Sequence, residues 1–285
     1  MSKAGPLGEY LRARRELIAP GDVGLPAHGR RRVPGLRREE LALLAGISAD
    51  YYLRLEQGRD RHPSAQVLDA LARALRLDAE AAAHLHRLAR PAPARWPARR
   101  PERVPVGIRQ LVGSWTDTPA FVHGRYLDVL FANPVATELA PIYAVGVNLL
   151  RAVFLVPGVP ALYPASEAVA ANAVAGLRSL VGAEVDEPRL TELVEELSTG
   201  SERFRRLWAR HDVTARAGGG IRMFRHPRVG ELELRYEKLT IAGTNQSLVV
   251  YHAEPGSTSA RSLRALARLA GRARPISPAT PGGQL

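Results

Sequence analysis

The stretch Arg37–Gly58, RREELALLAGISADYYLRLEQG, leaves its chain few ways to fold. Ala42 stands where two helices must cross closely, and a larger side chain there would push them apart. Gly46, four residues on, sits where the chain leaves the first of these helices at positive φ, a conformation glycine adopts without steric cost. Leu41, Ala45, Ile47, Tyr52 and Leu55 fall on the inward positions that lock two short helices at a wide angle. Ser48 is placed as the N-cap of the second helix and Gly58 as its C-terminal stop. This is the spacing of a DNA-binding helix-turn-helix.

The flanking sequence supplies the rest of a helical domain. Leu7, Tyr10, Leu11, Arg14, Leu17 and Ile18 follow the i, i+3, i+4 rule, and only Arg14 breaks the apolar stripe. A Pro/Gly-rich stretch, residues 19–35, ends that helix. Leu41, Leu44 and Ala45 form the inner face of the next. Ser64 caps a further helix with the stripe Val67, Leu68, Leu71 and Leu75, and Asp78 opens an alanine-rich one ending near Ala89. Five short helices are thus expected within residues 1–90.

Residues 91–105 read PAPARWPARRPERVP, with five prolines and five charged residues, a composition expected of a stiff, solvated linker. Beyond it, over 106–270, alternating apolar segments appear at 120–122, 126–131, 220–224, 230–239 and 246–251. Helical patterns lie between them at 167–181, 188–197 and 201–211, and another follows at 259–269. An antiparallel sheet with helices packed on one face is the expected α+β architecture. The tail, 271–285, is expected to be disordered.

Charge follows the same division. The chain has 285 residues and a net charge of +12; residues 1–100 carry 19 Lys/Arg against 11 Asp/Glu, two thirds of the surplus. A polyanion-binding module at the N-terminal end is the reading. All basic residues but Lys3 and Lys238 are arginine, a bias that also fits a GC-rich genome, so clustering rather than count carries the point. The chain has no cysteine, which excludes disulfides, thiolate zinc sites, iron–sulfur clusters and cysteine nucleophiles. With no uninterrupted apolar run of about 18 residues and no signal core, a soluble cytoplasmic, nucleoid-associated protein is expected, with no membrane partner.

These segments resemble the Cro/repressor-type (xenobiotic-response-element) helix-turn-helix regulators. Within that group the chain is similar to the MmyB-type regulators, which join such a domain to a PAS-like ligand-binding domain. The resemblance rests on LGEYLRARRELI, RRRVPGLRREELALLAGIS, DYYLRLEQGRDRHPS and LDALARALRLD in the first half. In the second it rests on RYLDVLFAN, NLLRAVF, FRRLWARHDV, HPRVGELELRYEKL and VVYHAEPGS. It implies a λ-repressor-like DNA-binding domain over 1–90 and a PAS-like ligand-binding and dimerisation domain over 106–270. It also implies a homodimer and a buried apolar pocket, occupied by a fatty acid in some relatives, with no other cofactor. The lining residues so implied are Phe121, Leu130, Phe131, Phe154, Phe204, Leu207 and Trp208, with Trp208 and Tyr236 as polar handles; each also reads as ordinary core.

In the second helix of the motif, Tyr52 and Leu55 face inward, which leaves Ala49, Asp50, Tyr51 and Arg54 outward and nearest base edges. Arg54 either bonds a guanine edge bidentately or pairs with Asp50 at i, i+4. Tyr51 contacts a thymine methyl or a phosphate, or packs at the surface. Arg37 and Arg38 open the preceding helix, where a phosphate is favoured, or are simply solvated. Arg59 and Arg61 follow the recognition helix and are candidates for the flanking backbone. Arg30, Arg31 and Arg32 lie in the long loop and either grip backbone or minor groove, or leave it solvated and pinned through Leu25 and Val33.

Other chemistries find little support. His84 and His86 are two apart, cannot chelate one ion from a helix, and read as surface histidines. No HExxH, Walker or G-x-S-x-G motif occurs, and Gly218–Gly220 reads as a hairpin loop. His211 and Asp212 read as the end of a helix rather than a catalytic dyad. The reading is a sequence-specific transcription regulator, not an enzyme, in which ligand occupancy changes the spacing of two recognition helices about 34 Å apart. The rivals are an enzyme carried to DNA by its helical domain and a structural protein that binds DNA without sequence preference.

Overall fold

Prolines at first helical turns and oxygen-bearing side chains at N-caps set most helix starts, because they suit backbone N–H groups that have no partner within the helix. The computed structural model describes residues 5–25, 35–60, 62–90, 102–181, 188–213 and 219–272. In chain order the helices are α1 (Pro6–Leu17), α2 (Arg38–Ala45), α3 (Ala49–Glu56), α4 (Ala65–Ala74), α5 (Ala79–Ala89), α6 (Val106–Ser114), α7 (Pro134–Leu139), α8 (Leu149–Leu155), α9 (Ser166–Val181), α10 (Pro188–Gly200), α11 (Glu202–Ala209) and α12 (Thr258–Arg272). The strands are β1 (Ala120–His123), β2 (Val129–Ala132), β3 (Gly219–His226), β4 (Gly230–Thr240) and β5 (Ser247–His252). Most of the expected linker, 91–101, and the tail beyond 272 lie outside the described residues.

The chain divides into two compact units, residues 1–100 with 167–216 and residues 101–166 with 217–285. In the first, Ser48 Oγ accepts from Tyr51 N (3.1 Å), Ser64 Oγ from Val67 N (3.3 Å) and Asp78 Oδ1 from Ala81 N (2.8 Å), the three caps expected from sequence. Leu7, Tyr10, Leu11, Leu41, Ala42, Tyr52, Leu55, Leu68, Leu71 and Leu85 form its core. Gly46 leaves α2 at φ +66°. Leu44 is not inward as expected: it is 36% exposed, and the small Ala42 occupies the crossing instead. Gly8 belongs to a second close approach, since a Cβ there would fall 2.3 Å from the carbonyl oxygen of Glu56. Leu17 is likewise displaced from the stripe of α1 at 49% exposure, while Arg15 is buried.

The helices α9–α11 belong to this first unit. Leu190, Leu193 and Leu197 form the buried stripe of α10, and Phe204 and Leu207 that of α11.

The second unit is a five-stranded antiparallel sheet in the order β2-β1-β5-β4-β3. Alternation assigns its faces. Ala120, Val122, Leu248 and Val250 lie on one, and they cluster with Val112, Ile108 and Trp115 of α6 and its end. Phe121 and Tyr251 lie on the other, where Phe121 stacks on Tyr143 at 4.4 Å. Helical cover on one face alone was the expectation; α6 covers the second, and the i, i+3, i+4, i+7 run of Ile108, Leu111, Val112 and Trp115 was the sequence signal for it. β2 begins at Val129 rather than 126, because a turn with Leu127 at φ +67° and a Gly124 N to Asp128 O bond (2.9 Å) precedes it. Asn133 ties these parts together: its Oδ1 accepts from Ala120 N and Ala136 N, and its Nδ2 donates to the carbonyls of Trp115 and Thr118.

Candidate functional site

The recognition helix α3 is held from beneath and open above. Tyr52 and Leu55 are fully buried, while Ala49, Asp50 and Arg54 are exposed and Tyr51 is half-buried. Arg54 Nη1 donates to the Asp50 carboxylate, the i, i+4 pair that was the alternative to a base contact, and its guanidinium lies 5.7 Å from the Tyr51 ring centroid. Asp50 and Arg54 therefore form an exposed ion pair on the first turns of α3, with the half-buried Tyr51 beside it. An exposed pair of this kind is worth about 0.3–0.5 kcal/mol, small beside a bidentate base contact of about 1–3 kcal/mol.

The arginines around α3 divide by role in the fold. Arg37 is exposed at the N-cap of α2, where its backbone N–H donates to Glu40 Oε2 (2.7 Å). Arg38 donates from Nε and Nη2 to Glu56 Oε1 (3.2 and 3.0 Å), which ties α2 to α3. Arg15 reaches the same carboxylate (3.3 and 3.1 Å) and the Leu36 carbonyl (2.7 Å). Burial alone would raise the Glu56 pKa, yet hydrogen bonds from Arg38 and Arg15 hold it below its ordinary value. Arg59 is exposed just beyond α3. Arg30, Arg31, Arg32 and Arg61 lie outside the described residues.

The expected ligand-lining residues do not come together as one set. Phe121 faces the aromatic side of the sheet, Leu130 and Phe131 join the cluster around α6, and Phe154 is half-buried on α8. Phe204, Leu207 and Trp208 belong to α11 in the first unit. Tyr236, on the aromatic side of β4, has the guanidinium of Arg222 5.1 Å from its ring centroid.

What sequence reasoning missed is the centre of that aromatic side. Tyr143, Tyr163 and Tyr251 are buried; the Tyr143 hydroxyl lies 2.8 Å from that of Tyr251 and 3.2 Å from that of Tyr163. Burial pushes all three phenols up, so they stay protonated hydrogen-bonding groups. Arg222 on β3 enters this box, with its guanidinium 5.1 Å from the Tyr236 ring centroid and 5.8 Å from that of Tyr163. Among the described residues no carboxylate or hydrogen-bond acceptor pairs with it. Glycine at 220 makes room, since a Cβ there would meet the Tyr236 ring at 3.1 Å. The signal was an arginine in the inward phase of a strand, between Gly220 and Phe224.

A third cluster joins α1, α5, α9 and α11. His84, expected at the surface, is 2% exposed and packs edge-on against Tyr10 at 5.1 Å. His211 ends α11 at φ +52°, in keeping with its reading as a helix end. Burial depresses both imidazoles, His84 to about 4 and His211 to about 3.

Residues 104–266 match the family described as MmyB-like transcription regulator ligand binding domain, and residues 6–85 match a helix-turn-helix domain family. No curated protein matches the chain. The first match extends across α9–α11, the helices that pack in the first unit. The first of these families is one of transcription regulators, which sets aside the enzyme rival.

Proposed function

This chain belongs to the MmyB-like transcription regulators, and we propose that it reads a specific operator through α3 under the control of a small ligand with an apolar body and an anionic end. A regulator with a helix-turn-helix DNA-binding domain and a ligand-binding domain is what the two family matches establish. The single observation that supports the finer reading is the open first turns of α3, with Ala49, Asp50, Tyr51 and Arg54 set on a buried Tyr52 and Leu55. Rigid support below and polar groups above is what major-groove reading needs.

In this reading Arg54 leaves Asp50 for a guanine edge and Tyr51 meets a thymine methyl or a phosphate. Arg37, Arg59 and Arg61 contact phosphates, Arg38 does so with the donors not held by Glu56, and Arg30–Arg32 grip backbone or minor groove. The DNA-binding domain spans 1–90, the linker 91–105, the ligand-binding domain 106–270 and the tail 271–285. The protein acts as a homodimer on double-stranded DNA in the bacterial cytoplasm. The ligand's anionic end is supported by Arg222, a permanently charged group among phenols with no carboxylate partner among the described residues. A fatty acid has the required chemistry, and Phe121 is an apolar group on the same side of the sheet as Arg222.

Footprinting of purified protein on genomic fragments tests the DNA reading. Two protected half-sites, 10–10.5 base pairs or a multiple apart, are expected. Uniform protection of every fragment would leave only a non-specific binder. Mass spectrometry of co-purifying molecules tests the ligand class, with an organic acid expected.

A further inference from the structure

The face of the sheet that carries α6 is covered over only half its width. Directly paired residues share a face, so Ala120, Val250, Glu237 and Gly219 form one row across it, from β1 to the edge strand β3. Over β1 and β5, Ile108, Val112 and Trp115 seal it. Over β4 they do not: every residue of this face from Glu231 to Leu239 is exposed, while Leu232 and Leu234 between them are buried on the other face. An antiparallel sheet can leave one face to water when that face is polar. This half is not wholly so. Ile221 on β3 is 57% exposed, with Met223 half-buried two residues on, and Leu239 is exposed beside Leu248. An apolar residue exposed on an edge strand is what a sheet left to solvent avoids.

The helix α6 shows the same mismatch. With Ile108, Val112 and Trp115 inward, helical geometry turns Val106, Gln110 and Gly113 outward and sets Arg109 and Leu111 on opposite flanks. The outward side carries no charge, Val106 is 59% exposed, and Leu111 is exposed as well. A helix that met only water there would carry charged residues. The charges that do occur are of opposite sign on the two surfaces. Arg225 pairs with Glu231 (3.4 Å) and Arg235 with Glu254 (3.5 Å), which leaves Glu233 and Glu237 uncompensated on the bare half-face among the described residues. The Glu237 carboxylate lies across Gly219, which has no Cβ to exclude it. On α6 the one charge is Arg109, exposed and without a carboxylate partner among the described residues.

We infer that this face is the contact between two copies of the chain, in which the outward side of each α6 lies on the bare β4–β3 half-face of the other. Val106 and Leu111 meet the apolar Ile221 and Leu239 there, and Arg109 meets Glu237 of the partner subunit. A second copy is the occupant because one molecule carries both complementary halves, an apolar helix flanked by a cation and an apolar half-face flanked by anions. A two-fold axis satisfies both halves at once, since residue i then contacts j and j contacts i. An apolar centre with a charged rim is the composition such contacts have. The inference rests on the homodimer reading above and adds where the copies meet.

Sedimentation of the full-length protein over a concentration series tests this. The parent is expected to dimerise. Arg109→Glu and Glu237→Arg each set like charges together twice across the two-fold, and each is expected to raise the dimer dissociation constant about tenfold. The double variant restores opposite signs and is expected to return to within about threefold of the parent. Ile221→Glu is expected to be monomeric at concentrations where the parent is dimeric. All four changes are at exposed positions, so parental melting midpoints are expected, and rescue in the double variant separates a lost contact from a lost fold. A parent that stays monomeric refutes the homodimer reading and the interface with it. A dimer whose dissociation constant ignores every variant refutes the interface alone. A double variant as weak as the singles overturns the stated arrangement.

Discussion

Arg15 and Glu56 form a buried bidentate pair between α1 and α3, with their side chains only 5% and 4% exposed. Gly8 lets the two helices approach closely enough for it. The pair fixes the support of the recognition helix to the rest of the domain. Removing one member of such a pair leaves a buried charge alone, at a cost of about 3–5 kcal/mol. Glu56→Gln is therefore expected to lower the urea midpoint by that equivalent with the slope unchanged, while Arg59→Ala leaves it within about 0.5 kcal/mol.

The same carboxylate sets one acid limit. Its folded pKa lies below its unfolded value, so its contribution is present above about pH 4.5 and is lost as pH falls through the folded pKa. The histidines act in a different window. His84 is neutral when folded and protonates near 6.5 when unfolded, so the unfolded state gains a proton between pH 6.5 and about 4. Stability is expected to fall across that interval on acidification. His84→Leu is expected to flatten the slope there, and an unchanged pH profile of the melting midpoint would show that His84 is not buried as described.

The helix-turn-helix was legible because its requirements are local. Ser48, Ser64 and Asp78 cap within three residues, and Gly46 answers a backbone need that no other residue meets as cheaply. The sheet strands were legible from alternation. What escaped was long-range: Arg14 with Asp212, Arg15 with Glu56, and the box of Tyr143, Tyr163, Tyr251 and Arg222. A charge within an apolar stripe signals a buried partner without naming it, and only folding supplies the partner. His84 was read as a surface group for the same reason, since its cover comes from Tyr10 on a distant helix.

Arg222 makes a prediction about chemistry rather than shape. The parent protein is expected to bind dodecanoate more tightly than dodecanol, and Arg222→Gln to bring the two within about threefold of each other by calorimetry. Loss of a charge-assisted hydrogen bond of about 1.5–3 kcal/mol corresponds to roughly a 10- to 150-fold loss of dodecanoate affinity. Equal binding of acid and alcohol by the parent would show that the guanidinium plays no part in the ligand site.

Tyr143→Phe separates the box from the cation. It removes the hydroxyl that links Tyr163 and Tyr251 and leaves the ring stacked on Phe121. About 1–2 kcal/mol of stability is expected to be lost, with the preference for acid over alcohol retained.

The central claim is that α3 reads base edges, and the most direct measurement is the affinity of the parent and of Arg54→Ala for an operator set carrying every single base-pair substitution. Arg54→Ala is expected to lose its preference at one position per half-site, by about 1–3 kcal/mol, and to keep the rest. Arg37→Ala is expected to weaken all sequences alike and to reduce the salt slope by about one. A uniform loss across the set for Arg54→Ala, with no position relaxed, would contradict the account.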